Sequence, residues 1–194
     1  MEAHDGARTG MSFTIVLHGV ESTGKSVLAD RLARHFDTIW VPEYGRIHAE
    51  THGVEMDEAD LLLIGRTQTA MIEEARPKAN HLLFSDTDSL MTAAWAEMMI
   101  GHVPAELLSH PKADLYLLME ADVPWVPDEV RVYGEDSVRA RFAAICQTML
   151  VTSGVRWASV GGDWDARFAK AVALIEALVP PKTSQGFDLA QENE

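Results

Sequence analysis

Residues 13–18 (Phe13-Thr14-Ile15-Val16-Leu17-His18) form an alternating hydrophobic run that stops at Gly19, the pattern of a short strand. From Val27 to Arg34 apolar positions return at helical spacing, which predicts a helix to about residue 36. Residues 38–41 read as a second strand closed by Pro42, and Asp57 reads as the N-cap of a long helix that Pro77 limits near Arg76. The apolar run 81–85 predicts a strand that delivers Asp86-Thr87-Asp88 at its carboxyl end, with a helix over 89–100 behind it. A strand at 114–119, a helix at 138–151, a strand at 156–160 and a helix at 165–178 complete the pattern. Strands alternating with helices in this way predict an α/β fold, a parallel sheet of about five strands with helices on both faces.

Composition narrows the picture. A chain of 194 residues with 47% hydrophobic content supports one substantial core, so residues 13–179 read as one domain between a flexible leader (1–12) and a disordered acidic tail (180–194). Lysine plus arginine number 16 against 30 acidic residues, a formal charge of −14 that repels a phosphodiester backbone and excludes nucleic acid as a partner. No apolar stretch approaches the roughly 20 residues needed to cross a bilayer, so no membrane partner is expected, and the leader lacks the apolar centre of a signal peptide. Cys146, the one cysteine, sits in a helical pattern and reads as a buried thiol of a reduced compartment, the cytoplasm. His48, His52 and His102 lack metal-ligand spacing. A homodimer is plausible on general frequency alone.

The chemistry concentrates in Gly19-Val20-Glu21-Ser22-Thr23-Gly24-Lys25-Ser26, which lies between the first strand and the first helix. This is the spacing of a phosphate-binding loop: the glycines permit a tight path, the amides between them point at phosphate oxygens, and Val27 follows at the helix start. Lys25 is expected on the β- and γ-phosphates of ATP and Ser26 on Mg²⁺. In an open parallel sheet, ligands gather beyond the carboxyl ends of the strands. Asp86 follows its strand as a Mg²⁺-side acid should. Glu43 and Asp88 compete for the role of orienting an acceptor hydroxyl, and each also suits a charge at a helix N-terminus. Arg46 suits a phosphate or sugar hydroxyl, or a salt bridge to Glu43. Tyr44 and Trp125 suit either stacking on an aromatic acceptor or packing. The breaker-rich, charged segment 124–141 reads as a lid that excludes water, with Arg131 and Arg139 as its arginines.

The phosphate loop, Glu43-Tyr44-Gly45-Arg46, Asp86-Thr87-Asp88 and Pro124-Trp125-Val126 with Asp128 and Arg131 together resemble the ribosylnicotinamide kinase domain of the bifunctional NadR proteins, in order across residues 13–178. The loop alone fits many unrelated ATPases, whereas the Glu-Tyr-Gly-Arg and Pro-Trp-Val blocks are more specific. The resemblance implies a P-loop NTPase fold and transfer of the ATP γ-phosphate to the 5′-hydroxyl of nicotinamide riboside, giving nicotinamide mononucleotide. It implies ATP and Mg²⁺ residues at Lys25 and Ser26, the metal-side acid at Asp86 and lid arginines at Arg131 and Arg139. The segment Asp163 to Phe168 also resembles its counterpart, which puts Arg167 on the nucleotide. With only about 12 residues before the first strand, a stand-alone kinase is expected. The alternatives are a kinase for another small hydroxyl compound and a regulatory ATP-binding protein.

Overall fold

A computed structural model describes residues 12–179; the expected tail and all of the expected leader except Ser12 lie outside the described residues. Ser12 is buried and exchanges hydrogen bonds with Arg76. The elements in chain order are β1 (Phe13–His18), α1 (Lys25–His35), β2 (Trp40–Val41), α2 (Tyr44–His52), α3 (Glu58–Ala75), β3 (Leu82–Asp86), α4 (Ser89–Ile100), α5 (Ala105–Ser109), β4 (Leu115–Met119), α6 (Asp136–Thr152), β5 (Trp157–Val160) and α7 (Trp164–Leu178). The strands pair in parallel in the order β2-β3-β1-β4-β5.

Side-chain alternation divides β1 and β4 between two layers of core. Ile15, Leu17, Leu115 and Leu117 pack with Leu28 and Leu32 of α1 and Ile175 of α7. Val16, Tyr116 and Leu118 face the other way, onto Leu90 and Met91 of α4 and Phe142, Cys146 and Leu150 of α6. Both faces are therefore covered, and a fully buried residue such as Phe142 is worth about 3–5 kcal/mol against alanine. Cys146 is 0% exposed, and burial pushes its thiol up to about 12, so it is a packing residue.

Several boundaries differ from expectation for physical reasons. Thr38 leaves the second strand because its hydroxyl donates to the Leu82 carbonyl. Asp57 does cap α3, in a reciprocal capping box with Asp60, and Pro77 falls in a 3₁₀ turn (Arg76–Lys78) after that helix. Two helices lacked a sequence signal. α2 carries Gly45 in its first turn and a non-capping Glu43 before it, and α5 has only five residues. Tertiary burial of His48 and Ala49, and of Leu107, stabilises them.

Candidate active site

The parallel ladders bring the acidic turns to the phosphate loop. Register pairs Leu17 with Asp86, so Asp86 leaves β3 beside the point where β1 enters the loop. Val41 pairs with Ser85, which places Glu43 just beyond the same edge. The loop itself is tightly supported. Gly19 has φ 130°, and a Cβ there would lie 2.8 Å from the Met119 carbonyl oxygen; Gly24 has φ 80°, with the Trp164 ring where a side chain would go. Thr23 Oγ1 donates to the Val20 carbonyl at 2.8 Å, a contact within the loop. Lys25 is 8% exposed and its Nζ donates to Val20 O at 3.0 Å, with two further donor positions on the ammonium.

A cleft of about 170 Å³ opens over this loop. Glu21, Ser22, Gly24, Lys25, Ser26 and Val27 line one side, Glu43, Gly45 and Arg46 the next, and Val130, Arg131 and Val132 the roof. Its far end is apolar, built from Ala49, Val54, Met56, Leu61, Ile64, Met91, Trp95 and Met99. Water-poor surroundings push the Glu43 carboxyl up to about 7, against the pull of the Lys25 ammonium and with the push of nearby Asp86. Burial also raises Asp86, opposed by Lys25 and by the hydroxyl of Ser26, which donates to Asp86 Oδ2. Asp86 Oδ1 is buried with no hydrogen-bond partner among the described residues. That orphaned oxygen, next to a serine hydroxyl, fits a hydrated divalent cation, which would also hold the carboxylate ionised. Among the described residues no cluster of three or more His, Cys, Asp or Glu could hold a metal by itself, so phosphate oxygens would have to complete the shell.

The segment after β4 folds down onto the loop. Glu21 Oε1 accepts the amides of Val132 at 3.0 Å and Tyr133 at 2.7 Å, and Ser22 Oγ accepts the amide of Val126 at 2.8 Å. Asp128 joins the two cleft arginines: Oδ2 meets Arg46 Nη1 at 3.0 Å and Arg131 Nε at 3.1 Å. Arg46 also pairs with Glu50, whereas a Glu43 salt bridge was one expectation for it. Tyr133 stacks on Trp95 with ring centroids 5.6 Å apart, closing the roof against α4.

Five expected site residues lie elsewhere. Asp88 caps α4 through the amides of Leu90 and Met91 and accepts the Tyr116 hydroxyl at 2.6 Å, so it turns away from the cleft under α4. Arg139 is buried at the base of the lid, its Nη1 donating to the Ala121 and Val123 carbonyls. Arg167, 1% exposed, donates to Gly162 O, Thr23 O, Glu120 O and Asp122, which makes it a staple under the phosphate loop instead of a nucleotide contact. The Trp125 ring lies against Gly134, where a Cβ would come within 2.9 Å of it. Tyr44 meets the edge of His48, with centroids 6.3 Å apart. Sequence reasoning missed the apolar end of the cleft. Met91, Trp95 and Met99 recur every four residues, a legible face, but α4 is apolar all round and does not announce which face is open.

Among the described residues, no helix is long and apolar enough to cross a membrane. A family model described as an AAA domain matches residues 14–167. The chain is 32% identical over 176 residues to the trifunctional NAD biosynthesis/regulator protein NadR of Salmonella typhimurium (strain LT2), covering 86% of this chain and 42% of that protein. The chain thus spans less than half the length of that relative. Among solved structures it is similar to a NadR protein in complex with NR (TM-score 0.67, 21% identity, 86% of this chain and 51% of that one). It is also similar to the thymidylate kinase of Candida albicans (TM-score 0.65, 16% identity, 86% and 92%).

Proposed function

Because the chain belongs to the AAA domain family, we propose that it is an ATP-dependent kinase that phosphorylates the 5′-hydroxyl of nicotinamide riboside to give nicotinamide mononucleotide. The observation that carries this reading is one cleft lined by Lys25, Ser26, Glu43 and Arg46, in which the Lys25 ammonium acts on the carboxyls of Glu43 and nearby Asp86, and which continues into an apolar pocket. An ATPase without an acceptor has no use for that pocket. The name of the Salmonella relative belongs to NAD biosynthesis, and a similar NadR structure holds NR; both support the acceptor.

The loop amides and Lys25 would hold the β- and γ-phosphates of ATP, and Ser26 and Asp86 would hold a hydrated Mg²⁺. When bound, that ion offsets charge on the phosphate oxygens. Glu43 accepts a hydrogen bond from the 5′-hydroxyl and aims its oxygen at the γ-phosphorus. As the new O–P bond forms, the bond to ADP breaks and the hydroxyl proton passes to Glu43, whose affinity for it is raised by burial. Arg131 and Arg46, held by Asp128, meet the charge on the moving phosphoryl group. The lid contacts to Glu21 and Ser22 keep water from taking the acceptor's place. Met91, Trp95 and Met99 receive the aromatic ring.

The test is ADP formation with Mg²⁺ and nicotinamide riboside, adenosine, uridine or thiamine, with the product's phosphate located by NMR. Nicotinamide riboside is expected to give the highest kcat/KM and a 5′-phosphate. A preference for another acceptor, or phosphate on the 2′- or 3′-oxygen, defeats the assignment.

A further inference from the structure

Gln68 lies in the middle of α3, on the face that buries Leu61, Ile64 and Ile72, and is 1% exposed. A polar amide there needs partners, and it has three. Its Oε1 accepts the Tyr44 amide at 2.7 Å, and its Nε2 donates to the Pro42 carbonyl and to Ser85 Oγ, each at 3.2 Å. The orientation is fixed by these neighbours, since a flipped amide would aim N–H at N–H. Ser85 Oγ in turn donates to the Thr87 carbonyl at 2.7 Å. The backbone ladder between β2 and β3 ends at the pair Val41 and Ser85. Beyond it, the Gln68 amide does what a further peptide group would do: it binds the residues on both sides of Glu43 and ties them to the residue before Asp86.

We propose that Gln68 is a positioning residue that fixes Glu43 against the phosphate loop for acceptor attack, by bracketing its backbone between Pro42 and Tyr44. This rests on the reading of Glu43 as the group that orients the acceptor hydroxyl. Gln68 itself does not line the cleft. Its loss therefore acts on turnover through Glu43 and leaves the nucleotide site in place.

The experiment is a double-mutant cycle of Gln68→Leu and Glu43→Gln, with kcat and the acceptor KM from steady-state rates and nucleotide affinity from direct titration. Misplacing a reacting group by about 1 Å costs up to about 100-fold in rate, so Gln68→Leu is expected to lose about 10- to 100-fold in kcat with nucleotide affinity within about threefold. In the Glu43→Gln background the same change should cost less than about twofold, because the group it positions is gone. Equal losses in both backgrounds, or full turnover of Gln68→Leu, overturn the positioning role alone. Full turnover of Glu43→Gln overturns the acceptor-orienting reading first, and this inference with it. If Gln68→Leu loses nucleotide binding, Ser85→Ala, which removes one partner of the amide and little apolar surface, is run through the same cycle with the same criteria.

Discussion

Glu43 has a cost to the fold that can be measured apart from its chemistry. Burial raises its folded carboxyl from 4.5 to about 7. Below pH 4.5 both the folded and unfolded chains hold the proton, and Glu43 adds nothing to the pH dependence. Between 4.5 and 7 the unfolded chain has released it while the folded chain keeps it, so stability falls as pH rises; above 7 the loss is complete. At about 1.36 kcal/mol per pH unit, the shift sets an upper bound of about 3 kcal/mol, which residual solvent access reduces to about 1–2.

Glu43→Gln removes the charge and keeps the shape. A change of 1–2 kcal/mol moves the melting temperature of a domain this size by roughly 2–8 °C. The variant, relative to the parent, should therefore gain about that much more at pH 8 than at pH 5. The comparison at pH 5 cancels most of what the amide itself costs, because there the folded parent's carboxyl is also neutral and most of the linkage loss lies above that pH. Turnover moves the opposite way, by about 10²-fold or more, as expected for loss of a general base. Scanning calorimetry at the two pH values, beside steady-state rates, reads both effects. An equal shift in melting temperature at pH 5 and pH 8 would refute the argument that Glu43 is held against its preference for ionisation.

Lys25→Ala should lower kcat by about 10²-fold or more with the fold intact by circular dichroism, since it removes a preorganised charge at the transferring phosphoryl group. Asp86→Asn should remove most activity and raise the Mg²⁺ concentration needed for the remainder, whereas Asp88→Asn, at a residue that caps α4 and accepts Tyr116, should lower the melting temperature and leave the Mg²⁺ titration unchanged. Arg131→Ala should lower kcat more than it weakens directly measured ATP binding. Glu21→Ala should raise acceptor-independent ATP hydrolysis relative to transfer, because two lid amides lose their acceptor; an unchanged ratio of inorganic phosphate to product would count against the latch.

The sheet was legible because its central strands are buried on both faces, which writes apolar runs such as 82–84 and 115–119 directly into the sequence. α2 was not, since its stability comes from where Ala49 and His48 land against the rest of the fold, and a local pattern carries no record of that. The acids after β3 show the same limit more sharply. Asp86 and Asp88 sit two apart, and in a continuing strand they would share a face. Thr87 instead takes φ 71°, its amide held by the Leu17 carbonyl, and the chain swings Asp88 under α4 to Tyr116. One residue in a left-handed conformation thus decides which acid meets the phosphate loop, and no spacing rule contains it.

Arg139 and Arg167 misled for a different reason, and the side chains of Glu21 and Ser22 carried no expectation of their own. A guanidinium offers five donors; Arg167 places its nitrogens on carbonyls beyond a strand end and on the loop and on Asp122, and Arg139 uses Nη1 alone, on the Ala121 and Val123 carbonyls, so a site-like charge becomes a brace for the site. Within the loop, the motif describes a backbone task, because amides bind phosphate and any side chain compatible with the path serves as well. The side chains at Glu21 and Ser22 are then free for another use, and here they hold the lid by its own amides. Only the folded chain shows that residues of the phosphate loop also grip, with their side chains, the segment after β4 that folds down onto it.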